Sequence, residues 1–261
     1  MVEEVFAELM DVASEEYLWR KGDCLGFEDD GELPFAPFGT FELIECQSAH
    51  SHEVTLSEVL DEGSDDPFPA DLDERVDLIC GEAFVDYVGA VPRLTTLRPV
   101  TYRPDQSEWA EGDRYMACVV GAPSDGEFTE SIEGGAAEYE RTVLVGDCVS
   151  DDGIVDCEEL HWGEIIAIPT HPGDTDDPYP GDEEITDDVD AECREALAGA
   201  DTTSGDLPIN VQARGLTAFD WGSGSRQFEC LAFVAQDGQV PSDVIGSFTG
   251  EWRTVGEGIV V

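Results

Sequence analysis

Apolar residues along this chain follow two spacings, and the same succession of spacings occurs twice. Alternating runs predict short strands, and a three-to-four residue period predicts helices. At the start, Val5, Phe6, Leu9, Met10 and Val12 predict a short amphipathic lead-in helix over 1–16. A first repeat is then expected over 17–135. Its strands are predicted at 22–25, 41–46 and 53–56. A helix is expected over 72–88, with Val76, Leu78, Ile79, Cys80, Ala83, Phe84 and Tyr87 as its apolar face. Late strands are expected at 94–101 and 114–120. A second repeat, over 140–252, has the same order with a shorter first hairpin. Its predicted strands are 143–145 and 154–157, joined by the turn Ser150-Asp151-Asp152-Gly153. A strand at 164–168, a helix at 187–200 and strands at 209–216 and 227–234 complete it, with a tail at 253–261. Strands with one packed helix per repeat predict an α+β fold: two small, mostly antiparallel sheets in tandem.

The eight cysteines carry the repeat most clearly. Gly22-Asp23-Cys24 returns as Gly146-Asp147-Cys148, and Cys46-x3-His50-x2-Glu53 returns as Cys157-x3-His161-x2-Glu164. Cys80-x-Glu82 returns as Cys193-x-Glu195. Trp109-x2-Gly112-x-Arg114-x3-Cys118 returns as Trp221-x2-Gly224-x-Arg226-x3-Cys230. The exit Ser131-Ile132-x-Gly134 returns as Ser247-Phe248-x-Gly250. Pairing within each repeat leaves three choices per repeat. Adjoining hairpin strands favour Cys24 with Cys46 and Cys148 with Cys157. Cys80 with Cys118 and Cys193 with Cys230 then pin each helix to a late strand. Each bridge is expected to stabilise by about 2–4 kcal/mol. The competing arrangement is zinc held by Cys46 and His50, or Cys157 and His161, with two further cysteines. The absence of any Cys-x2-Cys knuckle disfavours it.

The His50/Glu53 and His161/Glu164 pairs offer the raw material of acid–base or metal chemistry. Their recurrence beside a bridged cysteine fits a scaffold element better: a histidine that caps backbone groups at a strand entry. No nucleophile elbow, zincin motif or phosphate loop is present, so no catalytic residue and no cofactor is expected. A metal-dependent hydrolase built on the two His/Glu pairs is the alternative. Trp109 with Arg114, and Trp221 with Arg226, are expected to cover the core, with each arginine bridging local carboxylates; a cation–π ledge for a ligand is the other reading.

Charge removes several functions. Sixty-one acidic residues face twelve basic ones, for a net charge of −49. Such a chain repels phosphate backbones and anionic membrane surfaces, so nucleic-acid binding is excluded. Lys21 is the lone lysine, which points to adaptation to high salt. Weak Ca²⁺ binding is the second reading, at Asp65, Asp66 and Asp71 and at Asp176, Asp177 and Asp182 in the two Asp-Asp-Pro loops. That reading makes a Ca²⁺-dependent surface or adhesion protein an alternative function. No run is long and apolar enough to span a membrane. Paired cysteines place the chain outside the cytosol. Residues 1–19 lack the basic, apolar make-up of a signal peptide. The chain is therefore expected to be a secreted or cell-surface domain whose anchor or leader lies elsewhere.

Taken together, the Gly-Asp-Cys, Cys-x3-His-x2-Glu, helix-cysteine and Trp-x2-Gly-x-Arg-x3-Cys motifs resemble the actinobacterial septum-formation domain family, twice over. The resemblance implies an extracytoplasmic, often membrane-tethered domain linked by its name to cell division. It carries no defined catalytic residues. The function expected from it is a non-enzymatic interaction module whose partner is a protein or cell-envelope component.

Overall fold

The structure, a computed structural model, describes residues 18–27, 41–60, 63, 66–123, 126–151, 153–174, 176–200, 208–234 and 243–254. The expected lead-in helix over 1–16 and most of the expected tail over 253–261 lie outside them. The chain divides into two compact units, Met1–Arg141 and Thr142–Val261.

The first unit holds a five-stranded antiparallel sheet. Its strands are β1 (Cys24–Phe27), β2 (Phe41–Ile44), β3 (His52–Val59), β4 (Arg98–Tyr102) and β5 (Tyr115–Gly121). Their spatial order is β2-β1-β3-β5-β4. Helix α1 (Leu72–Val88) enters between β3 and β4 and packs on β3, β4 and β5. Leu72, Val76, Cys80, Phe84 and Tyr87 recur every three or four residues and are buried, which is why this stretch is a helix with one face on the sheet. It stops at Gly89, whose φ of 90° suits only glycine, and whose N–H closes on Val85 O. The opposite sheet face is covered too. Leu25, Val54, Ala117 and Val119 form a core there under Trp19, Phe41, Tyr102 and Tyr115. Burial on both faces accounts for the nearly unbroken apolar run of β5.

The second unit repeats the plan. Strands β6 (Cys148–Ser150), β7 (Gly153–Val155), β8 (Gly163–Ala167), β9 (Ile209–Arg214) and β10 (Glu229–Val234) stand in the order β7-β6-β8-β10-β9. This is the first order strand for strand. Helix α3 (Asp182–Gly199) packs on β8, β9 and β10 through Ile185, Val189 and Cys193. The register shift recurs as well, between Val54 and Leu56 against β5 and between Ile165 and Ala167 against β10. A further ladder joins β11 (Val244–Gly246) to β12 (Trp252–Thr254). Two antiparallel sheets, each with a packed helix and two disulfides, make the fold α+β.

Several expected elements differ. Residues 143–145 form a turn, not a strand. Leu144 N donates to the Asp147 carboxylate, and Gly146 takes a φ of 96°. Only Val143 faces the core; Leu144 and Val145 are exposed. The Arg20–Asp23 turn of the first unit has the same bonds around Gly22. Strand β4 starts at Arg98 because Pro92–Leu94 wind into a 3-10 turn first. Pro99 is tolerated because β4 is an edge strand. Helix α3 starts at Asp182 rather than 187. The acids Asp182, Glu183 and Glu184 in its first turn complement the helix dipole. Strand β10 starts at Glu229, since Gln227 makes only an isolated bridge to Thr170. Two one-turn helices were not expected: α2 (Gln106–Ala110) and α4 (Ala218–Gly222). Each is held by a capping box, Asp105 with Glu108 and Thr217 with Asp220.

Candidate functional site

All eight cysteines are paired. Cys24–Cys46 and Cys148–Cys157 close the two first hairpins, with Cα separations of 5.3 and 5.2 Å. Cys80–Cys118 ties α1 to β5, and Cys193–Cys230 ties α3 to β10. These are the pairs that the hairpin argument selects. The zinc arrangement, which needs thiolates, is not the one formed.

The His–Glu motif of the first unit is a closed polar cage inside the fold. His50 and Glu53 are 1% and 0% exposed. His50 sits on an isolated bridge to Phe128, bonded through both backbone groups. Its Nδ1 donates to Ser48 O at 2.8 Å, and its Nε2 faces Glu53 Oε1 at 2.9 Å. Both ring nitrogens are therefore hydrogen-bonded inside the fold. Glu53 also accepts from Ile132 N at 3.0 Å, from Ser131 Oγ at 3.0 Å and from Tyr87 OH at 2.8 Å. Burial, reinforced by Glu53, pushes the Tyr87 phenol well above its usual pKa, so it stays a donor. One buried carboxylate thus ties together β3, the end of α1 and the exit segment at Ser131.

The second unit builds a looser copy. His161 Nδ1 donates to Glu159 O at 2.9 Å, and the His161 backbone bridges Val244 as His50 bridges Phe128. Glu164 accepts from Ser247 Oγ at 3.0 Å and Phe248 N at 2.5 Å, the counterparts of Ser131 and Ile132. Aligned on Cys80 and Cys193, Tyr87 corresponds to Ala200, so no phenol reaches Glu164. His161 Nε2 is buried without a hydrogen-bond partner.

The Trp–Arg motif is a second repeated device. The Arg114 guanidinium stacks 3.7 Å from the Trp109 ring, and Arg226 stacks 3.6 Å from Trp221. Both arginines donate to backbone carbonyls. Arg114 reaches Trp109 O and Gly63 O; Arg226 reaches Trp221 O and Asp174 O. The indoles donate to Asp66 O and Asp177 O, both at 2.8 Å. Each clamp therefore holds the backbone of an acidic loop at two matching points. Burial lowers the Arg226 pKa, and Asp177 opposes that shift.

The acidic candidates are dispersed. Asp65 lies outside the described residues. Asp66 and Asp177 turn a carboxylate oxygen back onto Gly63 N and Asp174 N. Asp71 precedes α1 without capping it, and Asp182 accepts from Tyr179 OH at 2.5 Å. Asp176 is exposed. Among the described residues, only Cys24, His50 and Glu53 form a group of three donors close enough to hold a metal ion.

Sequence reasoning missed the roles of Tyr87, Ser131 and Ser247. The recurring Ser-x2-Gly exit held the signal, since nothing else requires a serine at both positions. It also missed His52, which has Gly163 in its place in the second unit and so leaves no repeat to notice.

A family model described as septum formation matches residues 95–230, a little over half of the chain. Comparison with curated proteins and with solved structures finds no match.

Proposed function

The chain belongs to the septum-formation family, and from that premise we propose that it is a non-enzymatic interaction module of the cell envelope, built from two tandem copies of the family's domain. The matched stretch begins in the first unit, at Thr95, and ends in the second, at Cys230. Equal strand order, two equivalent disulfides, a His–Glu cage and a Trp–Arg clamp in each unit support the tandem reading. An extracytoplasmic location is supported by four disulfides, which persist outside reducing compartments. Among the described residues no helix is long and apolar enough to cross a membrane.

One observation carries the non-enzymatic reading. The motif with the most chemical potential, His–Glu, spends its carboxylate on scaffold groups in both units. A general acid or base has to reach a substrate proton, and Glu53 and Glu164 are buried and turned inward. Recognition then falls to the surface, where a protein or envelope component is the partner.

A fluorescent fusion exported in dividing cells, combined with crosslinking in the envelope, tests this. The expected result is enrichment at the division site with one or more envelope components crosslinked. Uniform distribution without crosslinked partners would overturn the proposal.

A further inference from the structure

We propose that Cys24, His50 and Glu53 form a latent Zn²⁺ site, closed by the Cys24–Cys46 disulfide and opened by its reduction. One ligand atom of each residue lies within 4.8 Å of the other two, and all three residues are buried. Sulfur, imidazole and carboxylate together suit four-coordinate zinc. The supporting bonds are those of a metal centre as well. Ligating histidines donate their second nitrogen to a carbonyl, and His50 Nδ1 does so to Ser48 O, turning Nε2 inward. Glu53 is oriented by Tyr87, Ser131 and Ile132. The 2.9 Å between Nε2 and Oε1 is only slightly shorter than the roughly 3.3 Å between two donors bonded to zinc at about 2 Å.

In the oxidised chain the His50–Glu53 hydrogen bond holds the two donors together. In the reduced chain Zn²⁺ takes the place between them. A dithiol or phosphine reductant delivers two electrons to the Cys24–Cys46 bond, and two protons complete the thiols. Zinc binding then releases the Cys24 thiol proton and the proton of the His50–Glu53 hydrogen bond to solvent, and water completes the fourth position beside the three protein donors.

The second unit is an internal control. It has the same Cys-x3-His-x2-Glu motif, yet Cys148, His161 and Glu164 do not come together as a group of this kind. One zinc per chain follows, not two.

The test uses the full chain carrying Cys46→Ser, which frees Cys24 and leaves the other three disulfides intact. Co²⁺ is the probe, read by thiolate-to-metal charge-transfer absorption. The many surface carboxylates cannot produce that band. The expected result is one Co²⁺ per chain with the band, and loss of the band in Cys46→Ser combined with Cys24→Ser or with His50→Gln. The oxidised parent and Cys157→Ser should show no band. If Cys46→Ser does not fold, the parent chain reduced with a phosphine and counted by native mass spectrometry decides, with one retained zinc expected. A folded Cys46→Ser chain without the band, a band that survives His50→Gln, an equal band in Cys157→Ser, or a reduced parent without zinc would each overturn the proposal.

Discussion

His52 and Glu53 are neighbours on β3, face opposite sides of the sheet, and solve the problem of a buried ionisable group in opposite ways. Glu53 is surrounded by donors. His52 is packed edge-on against Phe41, with ring centroids 4.9 Å apart, and bonds Ser51 Oγ through Nδ1. Burial, and then the nearby Arg98 charge, lower its pKa from 6.5 to about 4. Between those two values the unfolded chain binds a proton that the folded chain excludes. Stability is therefore full above the unfolded value, falls as pH drops from 6.5 towards 4, and levels off below. His52→Asn keeps a partner for Ser51 and removes the titration. Denaturant unfolding of both proteins at pH 7 and near pH 4 should show the parent losing on the order of 3 kcal/mol more than the variant. Parallel pH profiles would show that His52 is not held neutral.

Among the elements, the hairpin disulfides and the helix-to-strand disulfides differ in the chain they close. Cys148–Cys157 spans 9 residues, whereas Cys80–Cys118 spans 38 and Cys193–Cys230 spans 37. Loop-closure entropy alone makes the short bridge worth about 2.5 kcal/mol and the long ones about 4 kcal/mol each. The long bridges also anchor α1 and α3, whose buried stripes lie on the sheets. Replacing Cys80 and Cys118 by Ser should thus lower stability by about 1.5 kcal/mol more than replacing Cys148 and Cys157. Calorimetric unfolding of the two variants measures the difference, and a reversed order would contradict it. These elements were legible in the sequence because their signals are periodic or duplicated. The helix over 72–88 has a stripe that recurs at Leu72, Val76, Cys80 and Phe84, and the cysteine pairs recur with conserved spacing only in the second bridge. What stayed hidden was set by single residues. Gly146 turns an apolar triplet into a bend, and Asp105 and Thr217 nucleate one-turn helices that have no room for a period. The site followed the same division: His50, Glu53, His161 and Glu164 stood out as a repeated pair. Their partners at Ser131, Ser247 and Tyr87 lie far along the chain and are joined to them only by the fold.

At the scale of the molecule, a net charge of −49 acts on every element at once. Helix α3 shows its form: eight acidic residues and one arginine in eighteen positions, with the apolar stripe reduced to Ile185, Val189 and Cys193. The exposed acids of such a helix repel one another and favour the expanded chain. Salt opposes this by shortening the screening length from about 10 Å at 0.1 M to about 3 Å at 1 M. The thermal midpoint of the oxidised protein is therefore expected to climb steeply with NaCl up to about 1 M, since the four disulfides are constant across the series. Screening alone saturates there, because the screening length is by then shorter than the spacing of most surface charges. Adaptation to high salt predicts a further rise beyond that point. A CaCl₂ series matched in ionic strength separates the two cation readings. Equal midpoints mean general screening by the acidic surface, and a higher midpoint in Ca²⁺ means that carboxylates such as Asp176 and Asp182 hold the ion directly. A midpoint that does not move with NaCl would show that the acidic surface is not limiting stability, and would remove the physical basis for the high-salt reading.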